Sequence, residues 1–300
     1  MSPAQGPAAA FRWLSGALDL VRRNPAALFG AGTMLVAVAL LPSLLQIATQ
    51  RISPSAAAWL QWPFTLLGLV LMPPLLGGFL RVLRTLDAGQ VPPAGALWSV
   101  LSEPLTTRRL IACNLLFVVA TLAALAALAY ALGGEQVLDY MRALSTMKPD
   151  ATPADLPPMP DGMLLLASTM LLVGLFVTTA QQLAAAHIAL AGAGVGDGSR
   201  FGTLGTLRNA LAFGLLYAVL LLLGVVATGI VIAVIGLVFV ALSVVSKLIA
   251  VLVVGMLMMG LLTGLYALML AFFYCAWRAL SGAGVPAAGT PPTLPHEIAA

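Results

Sequence analysis

The sequence predicts an all-α, polytopic transmembrane helical bundle of about six spans, and three observations predict it. Charge-free apolar runs cover 24–50, 52–80, 110–134, 162–186, 209–246 and 248–277. A helix rises about 1.5 Å per residue and the hydrocarbon core is about 30 Å thick, so about 20 apolar residues cross it. Every run is longer than that. Hydrophobic residues make up 61% of the chain and charged residues 8%, where a soluble domain carries about 25% charged residues. The basic residues also segregate. With six spans and both termini inside, Arg12, Arg22, Arg23, Arg81, Arg84, Arg108, Arg109, Arg200, Arg208 and Arg278 face the cytoplasm. Only Arg51, Arg142, Lys148 and Lys247 lie outside. The positive-inside rule favours this orientation.

The elements follow in order. Residues 8–23 do not read as a cleavable signal, because Arg12, Asp19, Arg22 and Arg23 interrupt them. They read as an amphipathic helix in the headgroup plane, with Phe11, Leu14, Leu18 and Val21 on its apolar side. Pro25 starts the first span, expected over 25–48, and a short outer turn at 49–58 leads to the second, over 58–84. The inner loop 85–108 carries a short helical stretch near Leu97, Trp98, Val100 and Leu101. The third span is expected over 109–132. The outer segment 133–161 combines a short helix at 136–147 with an extended proline-rich part. The fourth span is expected over 162–191, the fifth over 208–233 and the sixth over 248–278, with an apolar connector around 233–247. Two or three spans fit the stretch 209–277; two keep Arg278 inside and let Lys247 snorkel to the outer interface. The transmembrane domain is expected to cover 1–284, followed by a disordered tail at 285–300. Trp59, Trp62, Tyr130 and Trp277 fall where interfacial aromatics belong.

Three stretches follow one plan, either as an internal repeat or as chance matches in alanine- and leucine-rich membrane sequence. Each unit opens on a short amphipathic stretch with an aromatic residue: Phe11-Arg12-Trp13 to Arg22-Arg23, Trp98 to Arg108-Arg109, and Arg200-Phe201 to Arg208. An apolar hairpin follows. Each unit closes on a similar inner turn, Leu86-Asp87-Ala88-Gly89, Leu190-Ala191-Gly192 or Leu280-Ser281-Gly282, whose glycine suits a helix C-terminus.

The opening Phe11-Arg12-Trp13-Leu14 with Arg22-Arg23-Asn24-Pro25-Ala26-Ala27-Leu28-Phe29-Gly30, the segment Phe79-Leu80-Arg81 to Leu86-Asp87-Ala88-Gly89, and Leu207-Arg208-Asn209 carry a resemblance over about residues 9–280. The chain resembles a family of six-span bacterial inner-membrane proteins to which no activity is assigned. More loosely, it looks like the membrane domain of some glycerophosphodiester phosphodiesterases. The resemblance implies a six-span inner-membrane protein and carries over no functional residue.

Catalytic residue types are scarce. Cys113 and Cys275 make no CxxC pair and read as small packing residues. His296 lies in the tail. Gly192, Gly194, Gly196 and Gly198 lack the spacing of a nucleotide loop. No cofactor, metal or nucleic acid is expected, nor an enzyme activity. Two groups stand out. Gln181, Gln182 and His187, with Thr178 and Thr179, are polar residues on the fourth span: either the lining of a solute path or interhelical hydrogen-bonding groups. Arg22, Arg23, Arg108 and Arg109 are candidate contacts for anionic headgroups, worth about 1 kcal/mol each near such a surface. Pro42, Pro63, Pro73 and Pro74 with Gly77-Gly78 either kink the first two spans or break them as in transporters. Gly260 and Gly264 read as a tight packing pair. The function expected is a non-enzymatic envelope or scaffold factor of the bacterial inner membrane. The alternative is a transporter or lipid-handling protein. The partners expected are membrane lipids and a second copy or another membrane protein.

Overall fold

The structure is a computed structural model that describes residues 5–93, 95–147, 157–243 and 246–282. Residues 148–156 of the outer segment, with Lys148 and Asp150, and the tail from 283, with His296, lie outside the described residues. Among the described residues every regular element is helical. The helices are α1 (Ala9–Arg23), α2 (Pro25–Ile52), α3 (Pro54–Asp87), α4 (Pro104–Leu128), α5 (Gly134–Ser145), α6 (Met163–Ala191), α7 (Val195–Arg208), α8 (Ala210–Ser243) and α9 (Lys247–Ser281). A 3-10 turn lies at Ala96–Trp98, and a π turn at Ala129–Gly133 joins α4 to α5.

Local chemistry sets these boundaries. Asn24 caps α2 by accepting from the Ala27 amide at 3.2 Å, and Pro25 takes the first position, where a missing N–H costs nothing. Pro104 opens α4 in the same way. Gly89, Gly192 and Gly282 follow the C-termini of α3, α6 and α9 with φ of 73°, 70° and 70°. A side chain would strain each of these left-handed residues, so glycine ends the helix there. Pro42, Pro63, Pro73 and Pro74 leave α2 and α3 continuous.

Among the described residues five helices are long and apolar enough to cross a membrane: 25–52, 59–87, 104–132, 163–191 and 247–281. The start of α8 makes a sixth if it is taken together with α7, from which it bends by 74°. The stretch 209–277 forms two long helices. The connector expected at 233–247 is corrected: α8 runs on to Ser243, because no proline or polar cluster between Ala233 and Ser243 interrupts it.

The three hairpins α2–α3, α4–α6 and α8–α9 are arranged about a common centre. Their second helices, α3, α6 and α9, pack pairwise on one another. The first helices stand outside them. Each amphipathic element docks on the second helix of the preceding hairpin: the 3-10 turn on α3, α7 on α6, and α1 on α9, which closes the ring. Backbones come close at these contacts. A Cβ on Gly78 would sit 1.9 Å from the Leu97 carbonyl oxygen, and one on Gly202 would sit 2.1 Å from that of Ala180. The second amphipathic element is shorter than the other two, a single 3-10 turn with Leu97 and Val100 buried against α3.

One packing expectation is extended and another is corrected. Helix α1 buries Ala9, Ala10, Trp13, Ala17 and Leu20, while Phe11 and Leu18 stay exposed. Its apolar arc is wider than the Phe11–Leu18 stripe, and the part centred on Trp13 is taken by protein. Trp13 packs on Phe213 and Phe272, with ring centroids 5.1 and 5.9 Å away. Gly264 meets Phe29 of α2, but Gly260 faces open space, so only one of that pair packs.

Candidate functional site

Gln181, Gln182 and His187 do not form one polar lining. Gln181 and Gln182 border the same small cavity, while His187, at 100° per residue, points to another side of α6. Thr179 shares a hydrogen bond of 2.5 Å with the Tyr217 hydroxyl on α8. The Gln181 amide donates to Asn114 Oδ1 on α4 at 2.5 Å. His187 stacks on Phe201 of α7 at 4.2 Å, and its Nδ1 accepts from Trp277 Nε1 of α9 at 3.3 Å. Trp277 is therefore buried in the bundle and does not belong to an interfacial belt.

The Gln181 contact has a cause in α3. Proline at 73 has no N–H, so the carbonyl of Leu69, one turn earlier, loses its helical partner. Asn114 Nδ2 donates to that carbonyl at 3.2 Å. Asn114 then turns its own oxygen to Gln181. The relay Leu69–Asn114–Gln181 repairs the defect with groups from three helices, the way neighbours satisfy proline-freed carbonyls in membranes. Asn114, Gln181 and Gln182, with Pro73 and Cys113, help to line a cavity of about 20 Å³. That is room for about one water.

The arginines divide. Arg22, Arg23 and Arg108 are exposed. Arg109 instead donates to the carbonyl of Gly192 at 2.8 Å, so it caps α6. Two arginines outside the sequence-based candidates do the same: Arg81 Nε reaches the Ala189 carbonyl at 3.3 Å and Arg84 the Leu190 carbonyl at 3.0 Å. Arg81 also grips Glu103 with both terminal nitrogens, at 2.6 and 2.7 Å, and that hydrogen-bonded guanidinium holds the Glu103 carboxyl below its ordinary pKa. On the third central helix, Arg278 pairs with Asp87 of α3, which also accepts from the Tyr274 hydroxyl at 2.9 Å. The reason is electrostatic. Three parallel helices bring their negative dipole ends to one end of the bundle, and cations there offset the repulsion. In sequence these arginines differ in nothing from topology-setting charges. Only the side-by-side ending of α3, α6 and α9 reveals them.

Larger openings exist among the described residues, and two bear on the site. One, of about 380 Å³, lies beside His187 at the arginine-rich end and is lined by Asp197, Arg200, Phe201 and Ser281 among others. The other, of about 640 Å³, lies between α6 and α8 and is almost wholly apolar. Among the described residues no group of three or more His, Cys, Asp or Glu side chains gathers to hold a metal. No family model matches the chain, and no curated protein or solved structure matches it either.

Proposed function

We propose that this chain is a non-enzymatic, multi-pass scaffold or envelope factor of the bacterial inner membrane, with both termini in the cytoplasm. The observation that carries the reading is the relay from Leu69 through Asn114 to Gln181. Gln181, from the most polar stretch of the apolar helices, helps to mend a proline defect and to tie α3, α4 and α6 together. A solute path needs polar groups left over for a solute. A scaffold needs them spent on rigidity. The arginine-rich end fits a cytoplasmic face, where Arg22, Arg23 and Arg108 meet anionic headgroups while Arg81, Arg84, Arg109 and Arg278 hold the helix ends. The resemblance to six-span inner-membrane proteins belongs to the same reading and adds no residue to it. Its partners are membrane lipids and a second copy or another membrane protein, not nucleic acid.

Cysteine placed at 181 or 182, on a background with Cys113→Ala and Cys275→Ala, tests the static bundle. A small membrane-impermeant thiol reagent should leave both unlabelled from either side. Labelling of either one in the folded protein revives the transporter reading. Reporter fusions at 95 and 197 should report cytoplasm and one at 148 the outside. Purification in native-lipid particles should bring down a stoichiometric protein partner or a second copy; a chain that always comes alone is no scaffold.

A further inference from the structure

The ring of three hairpins has three seams where the first helix of one unit meets the second helix of the unit before it. Two are closed. In the seam between α2 and α9, a Cβ on Gly32 would lie 3.0 Å from Thr263, and Gly264 of α9 meets Phe29 of α2. In the seam between α3 and α4, a Cβ on Gly77 would lie 2.7 Å from Leu110. The third seam, between α6 and α8, is open. Gly214 of α8 faces it and has no atom within 4 Å of the position a Cβ would take. The opening is the 640 Å³ groove, a size typical of small-molecule sites, about 300–1,000 Å³.

We propose that this groove holds one acyl chain of a phospholipid, retained as part of the protein. Three observations select that occupant. The first is chemistry. Leucine and phenylalanine side chains form most of the lining, and two of its three hydroxyls, at Thr179 and Tyr217, bond to each other. Thr179 also reaches the Leu175 carbonyl at 2.7 Å, and the Thr206 hydroxyl is spent on the Gly202 carbonyl at 2.9 Å. No polar group is left to recognise a polar ligand. The second is depth. The groove begins at Thr206 and Ala210, where the chain turns by 74° from α7 into α8, and ends near Leu221. Helix α7 is the amphipathic element and α8 the apolar one, so this bend marks the edge of the hydrocarbon. The third is length. From Ala210 to Leu221 a helix advances about 17 Å, roughly half of the ~30 Å hydrocarbon core. That matches one leaflet. A transmembrane helix of a partner would need the whole thickness. The inference stands on this seam and holds whichever way cysteines at 181 and 182 label.

The test uses the full chain. After purification in mild detergent, native mass spectrometry should find one phospholipid per chain that survives washing. Gly214→Leu should abolish it, because the new side chain fills the groove without a clash. Gly236→Leu, on the same helix and also facing open space, should retain it, with equal thermal stability in both variants. A wild-type protein that retains no lipid, or a Gly214→Leu protein that keeps it, overturns the proposal. So does a Gly214→Leu protein that instead loses a second copy or a protein partner, since the groove would then receive a helix. Should Gly214→Leu not fold, a second measurement on the wild-type chain decides. The protein is placed in phosphatidylethanolamine–phosphatidylglycerol vesicles doped with a phosphatidylethanolamine bearing a photoreactive group midway along one acyl chain. Crosslinks should concentrate on Leu175, Phe213 and Tyr217. Crosslinks spread evenly to lipid-facing residues of α4 such as Leu116 and Val119 overturn the proposal.

Discussion

The two ends of this bundle are held together by different physics. At the arginine-rich end, α1, α7 and the 3-10 turn cover the central helices, and the buried core lies there: Trp13, Leu83, Ile188, Phe213 and Trp277 among its members. At the far end the same helices are long, apolar and bare. Trp59 is 81% exposed, Leu122 63%, Leu164 77% and Leu237 71%. Water could not tolerate that surface, but lipid can. Between helices in a bilayer there is no hydrophobic drive to associate, so packing, small residues and polar ties must do it. The chain concentrates all three at one end. The far end is left for lipid to cover, with Trp59, Trp62 and Tyr130 exposed where an aromatic belt would lie.

The sharpest way to break this contrast is to add a methyl group at each end. Gly202→Ala and Gly78→Ala drive a Cβ into a backbone oxygen that belongs to another element. Each should cost about 3 kcal/mol or more, as overpacking does at its upper range. Gly174→Ala and Gly255→Ala meet nothing within 4 Å and should be neutral, or stabilising by up to ~1 kcal/mol from helix propensity. Thermal unfolding in one detergent compares all four. If Gly174→Ala and Gly202→Ala fall equally, the far end is packed after all. Trp13 sharpens the same point. Its ring anchors α1, but its Nε1 has no hydrogen-bond partner. Trp13→Ala should cost about 3–5 kcal/mol, and Trp13→Phe much less, because no bond is lost. Equal losses would mean that the indole nitrogen matters.

Polar ties should follow the same gradient. Pro73→Ala restores the N–H that Leu69 lacks, so Asn114→Leu should then be tolerated. Alone, Asn114→Leu leaves the Leu69 carbonyl unbonded and should cost about 1–3 kcal/mol. A double-mutant cycle should return a coupling of about 1 kcal/mol. A coupling of zero removes the relay as the reason for Gln181 and Asn114. Among ion pairs, Arg278→Ala strands Asp87, whose side chain is 10% exposed, and should cost about 2 kcal/mol, somewhat below a fully buried pair. Arg142→Ala at the far end breaks an exposed pair with Asp139 at 2.9 Å and should cost less than ~0.5 kcal/mol.

The same contrast explains what the sequence disclosed. The helices were legible because their apolar runs and their N-cap, proline and glycine signals are local. Gly89, Gly192 and Gly282 announced three equivalent ends, and the threefold plan was visible in them. What stayed hidden depends on which helix lies beside which. Gln181 looks like a path residue until Asn114 and the Pro73 defect stand next to it. Arg109 looks like a headgroup contact until the end of α6 is placed under it. Trp277 sits at a span end in sequence and in the core in space. The open α6–α8 seam has no sequence signal of its own, since Gly32, Gly77 and Gly214 look alike and only the first two meet a neighbour.

Another small effect is a pH dependence confined to the arginine-rich end. Glu103 lies just before α4, and its two oxygens accept from Arg81 while Thr106 adds a third bond at 3.0 Å. The hydrogen bond from Arg81 is the largest cause of its lowered pKa. A carboxylate with a depressed folded-state pKa stabilises the fold above its unfolded pKa, near 4.3. That stability is lost as the pH falls through the folded value. Stability should therefore be level above about pH 5 and decline below about pH 4.3. The pair is partly exposed, with side chains at 26% and 46%, so screening keeps the effect below ~1 kcal/mol. Protonation should also loosen only the approach to α4, because Arg81 keeps its second contact with the Ala189 carbonyl. Thermal unfolding of the wild type and Glu103→Gln between pH 3 and 6 reads this out. The variant should start lower above pH 5 and approach the wild type as the pH falls. Parallel curves would mean that Glu103 does no more than decorate the surface, and that the arginine-rich end is held by Arg81, Arg84 and Arg109 on the carbonyls of α6 without help from a carboxylate.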